Sequence, residues 1–266
     1  MTTLCYESIQ WSPFIDDRPV DFFAQVQAAA AAGFDGFSVD AWSLRRHLAQ
    51  GGTLEGLAAA IAEHGLRCME IQALVVTEDE QATLAEADEI ATMVEALQPD
   101  YLMAGFPGQP TDEAVANFRT AVARMPPGTQ VGLEFLPNLP ICDIKEARSV
   151  LRRADLPAAG VVVDSWHFFH GPSEWSDLED LPLEEVAFVQ FSDHPALESE
   201  DLMYEMLQRR ALPGQGRLDL GRFASVLKDK GYDGMVAVEI MSEALRTLSY
   251  EEFARQAHDA AEPYWR

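Results

Sequence analysis

Eight short, nearly continuous apolar runs recur along the chain, and longer amphipathic stretches separate them. The runs occupy residues 3–7, 37–39, 67–74, 101–104, 130–135, 161–164, 186–191 and 235–240. Stretches such as Val161-Val162-Val163 show no polar/apolar alternation. Strands buried on both faces read this way, as in a parallel sheet covered by helices. Helices are expected over 19–32, 54–64, 80–97, 112–124, 144–153, 220–230 and 250–261. Pro19 opens the first of these, and Gly33 and Gly65 follow the first two, where helix ends favour them. Eight such units in 266 residues predict a (β/α)8 barrel forming one domain over 1–266. An open doubly wound sheet is the alternative, but the GxGxxG turn that usually announces one is absent.

Charge narrows the partners. Nineteen Lys and Arg stand against 44 Asp and Glu, a net charge of −25. Such a surface repels phosphate backbones and anionic lipid unless a basic stripe offsets it. The densest basic pairs, Arg45-Arg46, Arg152-Arg153 and Arg209-Arg210, lie far apart. Neither nucleic acid nor a membrane is therefore expected as a partner. Three scattered cysteines without a CxxC pair argue against a disulfide scaffold or structural zinc site. With no signal-peptide pattern and no apolar run of about 18 residues, a soluble cytoplasmic protein is expected.

In a barrel, chemistry sits at the carboxyl ends of the strands. Four consecutive runs end in Glu134, Asp164, Gln190 and Glu239, at separations of 30, 26 and 49 residues. Converging carboxylates repel one another, so at least one is expected to hold a raised pKa unless a cation compensates. Three carboxylates and an amide oxygen make an all-oxygen shell. It suits Mn²⁺ or Mg²⁺ better than Zn²⁺, which prefers His and Cys. Each acid taken alone is as well explained as a helix N-cap or a solvated loop residue. His167, in the turn above Asp164, is a candidate acid, base or hydrogen-bond donor. Arg210 and Gln72 are candidate substrate contacts, and His194 a substrate contact or additional ligand. Glu70 and Gln72 are read as pointing alternately, and Glu7 is a lesser candidate. Trp42, Trp166, Trp175 and Phe106 follow strands and could wall the pocket. His47, His64 and His258 are expected on the surface. The 213–216 turn is read as a turn and no phosphate cradle.

The segments GLEFLP (132–137), VVVDSWHF (161–168), FVQFSDHP (188–195), LPGQGRLDLGRF (212–223) and GYDGMVAVEI (231–240) carry a resemblance. In order and spacing the chain resembles the sugar phosphate isomerase/epimerase group with a xylose isomerase-like barrel. That group includes inosose isomerases and dehydratases, ketose 3-epimerases and 3-dehydroshikimate dehydratases. The resemblance implies one divalent metal on Glu134, Asp164, Gln190 and Glu239, with Co²⁺ or Zn²⁺ as alternatives to Mn²⁺ and Mg²⁺. It places His167 and Arg210 beside a small sugar or cyclitol substrate. It implies isomerisation or epimerisation of a ketose or inosose through an enediolate, with Glu134 and Glu239 as bases. Dehydration with His167 as acid is the alternative. The epimerase branch often carries His where Gln190 stands. The dehydroshikimate branch carries Arg shortly after the third-strand Gln, where this chain has Ala73-Leu74-Val75-Val76. An endonuclease IV-type enzyme sharing the barrel needs several zinc ions, many His ligands and a grip on DNA. Six histidines and the acidic surface weigh against it. A non-catalytic binding barrel is a further alternative, and association into homo-oligomers is left open.

Overall fold

The strands close on themselves. In the computed structural model, which describes residues 2–266, they are β1 Thr3–Glu7, β2 Gly36–Asp40, β3 Arg67–Val75, β4 Tyr101–Gly105, β5 Gln130–Glu134, β6 Ala159–Asp164, β7 Val186–Gln190 and β8 Met235–Val238. They form one closed barrel in chain order, every pair parallel, with β8 joined to β1. The helices are α1 Phe22–Ala32, α2 Ala41–Ala49, α3 Leu54–Glu63, α4 Glu80–Leu97, α5 Asp112–Val122, α6 Ile144–Ala154, α7 Ser165–His170, α8 Trp175–Glu179, α9 Leu202–Gln208, α10 Leu220–Asp229 and α11 Tyr250–Trp265. The eight-stranded barrel read from the apolar runs is therefore the fold. Among the described residues, no helix is long and apolar enough to cross a membrane.

Local chemistry explains the elements. Seven helices start on an aspartate whose carboxylate accepts a backbone N–H of the first turn: Asp21, Asp40, Asp79, Asp143, Asp164, Asp201 and Asp219. Thr53, Thr111 and Ser249 cap three more. Each such bond satisfies a donor that a helix leaves open at its start, typically worth about 1 kcal/mol. Part of the acidity of the chain is thus capping chemistry. The short helices α2, α7, α8 and α9 were not expected from the sequence. α2 and α7 begin directly at a strand end, with Asp40 and Asp164 as caps, so no linker separates the two periodicities. β8 stops at Val238, two residues before its apolar run ends, and Glu239 lies just past the strand.

Two apolar layers hold the fold. One lies between barrel and helices, with Phe37, Leu102, Leu133, Phe118 and Phe223 among its fully buried members. The other plugs the barrel, with Cys5, Met69, Met103, Val162, Phe188 and Ala237. Close packing around β6 leaves no space at Gly160. A Cβ there would lie 2.7 Å from the Ala187 amide nitrogen and 2.9 Å from the Glu185 carbonyl oxygen. Backbone cannot give way as a flexible side chain can. Gly160→Ala is therefore expected to destabilise the protein by about 2 kcal/mol, read as a lower urea midpoint.

Two histidines expected at the surface are buried. His47 packs beside Phe22 and Phe23, with Nε2 3.3 Å from the Thr53 carbonyl oxygen. His258 sits edge-on to Phe34. Both lie on helix faces turned inward, where an imidazole fills space as an aromatic. His64 is exposed, as expected.

Candidate active site

A cavity of about 330 Å³ opens at the carboxyl ends of the strands. Gln72, Glu134, His167, Arg210 and Glu239 are among the residues lining it. Glu134 ends β5 and Asp164 ends β6. Asp164 does two jobs at once. Its Oδ1 caps α7, accepting from the amides of Trp166 at 2.5 Å and His167 at 3.2 Å. Its Oδ2 faces Arg210 Nη1 at 2.9 Å and His167 Nε2 at 3.5 Å. His167 Nε2 is also 3.2 Å from Glu134 Oε1. Ligand atoms of Glu134, Asp164 and His167 all lie within 4.8 Å of one another, the arrangement a cation needs.

Glu239 stands across Arg210 from Asp164. Arg210 Nη1 is 2.9 Å from Asp164 Oδ2 and 2.9 Å from Glu239 Oε2. Glu239 Oε1 accepts from Gln72 Nε2 at 3.1 Å and from Gln190 Nε2 at 3.2 Å. Buried atoms without an aligned hydrogen-bond partner include Gln190 Oε1, Glu239 Oε2, His167 Nδ1 and Arg210 Nη2. Orphaned donors and acceptors in a buried site mark where a ligand would engage.

Electrostatics sort the acids. Burial raises the Glu239 pKa well above its ordinary range; Arg210 opposes this, and the neighbouring carboxylates add to it. Burial also acts on Asp164, but Arg210 and His167 outweigh it and hold that carboxyl below the ordinary range. Asp164 and Glu239 thus differ because Asp164 has two cationic or polar partners and two backbone amides. The expectation of a raised carboxyl holds at Glu239, with burial rather than repulsion as the larger cause.

A second acidic pair lies within the barrel. Glu70 and Gln72, read as pointing alternately, share the inward face, as the two-residue repeat of a strand requires. Gln72 Nε2 donates to Glu7 Oε2 at 3.0 Å, and Ser38 Oγ to Glu70 Oε2 at 3.3 Å. Burial lifts Glu7 to about 7, although hydrogen bonds from Glu70 and Ser38 pull it down. Glu70 rises well above its range through burial, then through the charge of Glu7. The folded state therefore holds a proton at Glu7 that the unfolded chain releases near 4.5, so stability falls as pH rises through that window. Glu7 alone is expected to contribute a loss of roughly 3 kcal/mol between pH 4.5 and 7, and Glu7→Gln should remove that share while leaving the slope that Glu70 and Glu239 supply. Urea unfolding in a chelating buffer across pH 4.5–8 reads both.

Not every expected contact is brought to the cavity. His194 is fully buried and packs against Trp166 and His170, with Nε2 3.1 Å from Glu205 Oε2. It does not line the cavity, which corrects its assignment as a substrate contact. Past β7 the chain pairs Asp193 with Ala211 in an antiparallel bridge, and the segment between them brings Met203, Met206, Leu207 and Arg210, but not His194, to the cavity. Trp42 and Phe106 do line the cavity. Trp166 instead stacks on His170, and Trp175 packs on Phe168. Asp193 is a residue the sequence did not single out. Its carboxylate accepts the amides of His194, Gly214, Gly216 and Leu218, so an internal aspartate fills the 213–216 turn.

Residues 26–262 match a family model described as xylose isomerase-like TIM barrel. A 3-dehydroshikimate dehydratase of Pseudomonas putida is 31% identical over 120 residues, 45% of this chain and 19% of that protein. An inosose isomerase of Halalkalibacterium halodurans is 31% identical over 138 residues, 50% of this chain and 47% of that protein. The match thus spans less than half the length of either relative. A solved structure described as "IOLI protein with a binding zinc atom" superposes with a TM-score of 0.86 at 19% identity. It covers 99% of this chain and 98% of that one, a likeness of fold.

Proposed function

The chain belongs to the xylose isomerase-like TIM barrel family, and on that premise we propose that it is a divalent-metal-dependent isomerase or epimerase of a sugar-like ketone. The observation that carries this reading is the convergence of Glu134, Asp164 and His167, of which Glu134 and His167 line the cavity with Glu239, while Asp164 and Gln190 lie buried. The donor set fits a cation: carboxylates and an imidazole lie within 4.8 Å of one another, and Gln190 Oε1 and Glu239 Oε2 are buried without aligned partners. Glu134, Asp164, Gln190 and Glu239 would hold the ion, with His167 in reach of the same place. When bound, a divalent cation supplies Lewis acidity toward a carbonyl oxygen and its neighbouring hydroxyl.

The side chains supply the rest. Glu134 and Glu239 are the candidate bases for the proton next to the carbonyl, each with a second oxygen to spare. Return to the opposite face of the same carbon inverts it; return to the adjacent carbon moves the carbonyl. Arg210 Nη2, without a protein partner, is placed to steady developing negative charge. The apolar walls keep bulk water from the carbanionic carbon.

A dehydratase is the second reading, favoured by the likeness to the 3-dehydroshikimate dehydratase. There His167, with Nε2 near Glu134 and Asp164, would protonate a departing β-hydroxyl.

The test is solvent deuterium exchange followed by NMR, over ketoses, inososes and 3-dehydroshikimate, with Mn²⁺ or Mg²⁺ supplied and metal content measured. Exchange next to the carbonyl is expected, with one metal per chain. An unsaturated or aromatic product selects the dehydratase. Full metal loading without exchange into any of the panel overturns both readings.

A further inference from the structure

We propose that the substrate of this site is a ketone whose oxygenated end rests on the polar floor and which carries an apolar aryl or alkyl group against the walls. This rests on the reading that the floor receives a carbonyl and its neighbouring hydroxyl. It adds the part of the molecule that the metal and the bases do not touch.

Two observations carry it. The first is the chemistry of the lining. Of the 21 residues that line the cavity, 14 have no nitrogen or oxygen in their side chains. Of the seven lining side chains with polar atoms, Gln72, Glu134, His167, Arg210 and Glu239 form the floor, and the other two are Trp42 and the exposed Asn138. Gln72 Nε2 serves Glu7 and Glu239. Arg210 gives Nε to the Met206 carbonyl and Nη1 to Asp164, leaving Nη2 free. Above the floor stand Phe106 from the β4 end, Leu136 and Leu139 from the β5 end, and Met206 and Leu207 from α9. A free sugar or cyclitol carries a hydroxyl on nearly every carbon. Hydroxyls turned to these walls would lose water and gain no partner, costing about tenfold or more in affinity for each.

The second observation is the rim. Phe14 is 46% exposed and Met203 38% exposed, and both line the mouth. Phe14 lies against Trp42, with ring centroids 4.8 Å apart. Large apolar side chains left in water around one opening mark a surface that a ligand covers. They come from the loop after β1, the start of α2 and α9, so an apolar rim lines the side of the mouth above β7, β1 and β2.

Three α-hydroxy ketones with the same reactive end make the test: 2-hydroxyacetophenone with a phenyl group, 1-hydroxy-2-octanone with an alkyl chain, and erythrulose with hydroxyls only. Each is titrated by calorimetry into the full chain with Mn²⁺ supplied, and again in chelator. The phenyl and alkyl ketones are expected to bind about 30-fold more tightly than erythrulose, from roughly 100 Å² of apolar surface buried. Phe14→Ser and Met203→Ser alter only exposed rim residues. Each is expected to weaken the phenyl ketone about fivefold and leave erythrulose unchanged. Equal or tighter binding of erythrulose overturns the proposal, as does failure of all three to bind. The same samples are followed for deuterium exchange. Exchange into erythrulose with no phenyl preference sinks the substrate class and leaves proton abstraction standing. Tight phenyl binding without exchange into any ketone does the reverse.

Discussion

Glu239→Gln is expected to lower proton exchange into the substrate by about three orders of magnitude, within the span typical of losing a general base. The exchanged side chain keeps its volume and its acceptor oxygen, so Gln72 and Gln190 can still donate to it. What disappears is the ability to take a proton. Burial raises the Glu239 carboxyl well above its ordinary range, whereas Asp164, its neighbour across Arg210, is held below. Metal content, measured on the same sample, separates the two jobs assigned to the residue. Retained metal with lost exchange identifies the base; joint loss identifies a ligand. Unchanged metal and unchanged exchange would remove Glu239 from the site. Glu134→Gln is the matched control on the opposite wall.

Arg210→Met is expected to destabilise the metal-free protein by about 3–5 kcal/mol. Arg210 is fully buried, and its Nη1 lies 2.9 Å from carboxylate oxygens of both Asp164 and Glu239. Its own positive charge is favoured there by those two acids, against the burial that opposes it. Methionine fills much of the volume but leaves two facing carboxylates without a counter-charge. One of them must then take a proton, so the deficit should shrink as pH falls. It should also shrink when Mn²⁺ is added, because the cation replaces the lost counter-charge between the two carboxylates and so stabilises the variant more than the parent protein. Urea unfolding with chelator and with Mn²⁺ reads both effects. A deficit below about 1 kcal/mol in chelator would show that the guanidinium is dispensable to the cluster.

How the site was legible differs residue by residue. Glu134, Asp164, Gln190 and Glu239 each end an apolar run, and a strand end is a local feature. Asp164 also obeys the plainer rule that an acid after a strand caps the next helix, and the structure gives it both duties. Arg210 was picked from a polar insertion as a substrate contact, yet its bonds to Met206, Asp164 and Ser192 make it a buried counter-charge as well. Its partner Asp164 lies 46 residues away. No spacing rule reaches that far. His194, adjacent to Asp193, was a lesser candidate from the same insertion, and the structure packs it against Trp166 and away from the cavity lining. The Glu7–Glu70 pair was likewise hidden, because it depends on β1 and β3 presenting inward side chains at the same height.

The sequence by itself determined the number of strands, the parallel barrel, the seven longer helices and the acidic surface, though α1 starts at Phe22 on an Asp21 cap and not at Pro19. These follow from periodicity, capping and net charge, which act between residues close along the chain or depend on composition alone. Only the tertiary structure decided which few of the 44 acids lose their water, which carboxyl is held below its ordinary pKa range and which is raised above it. Desolvation and Coulomb attraction act through space, between strand ends that only the closed barrel brings together.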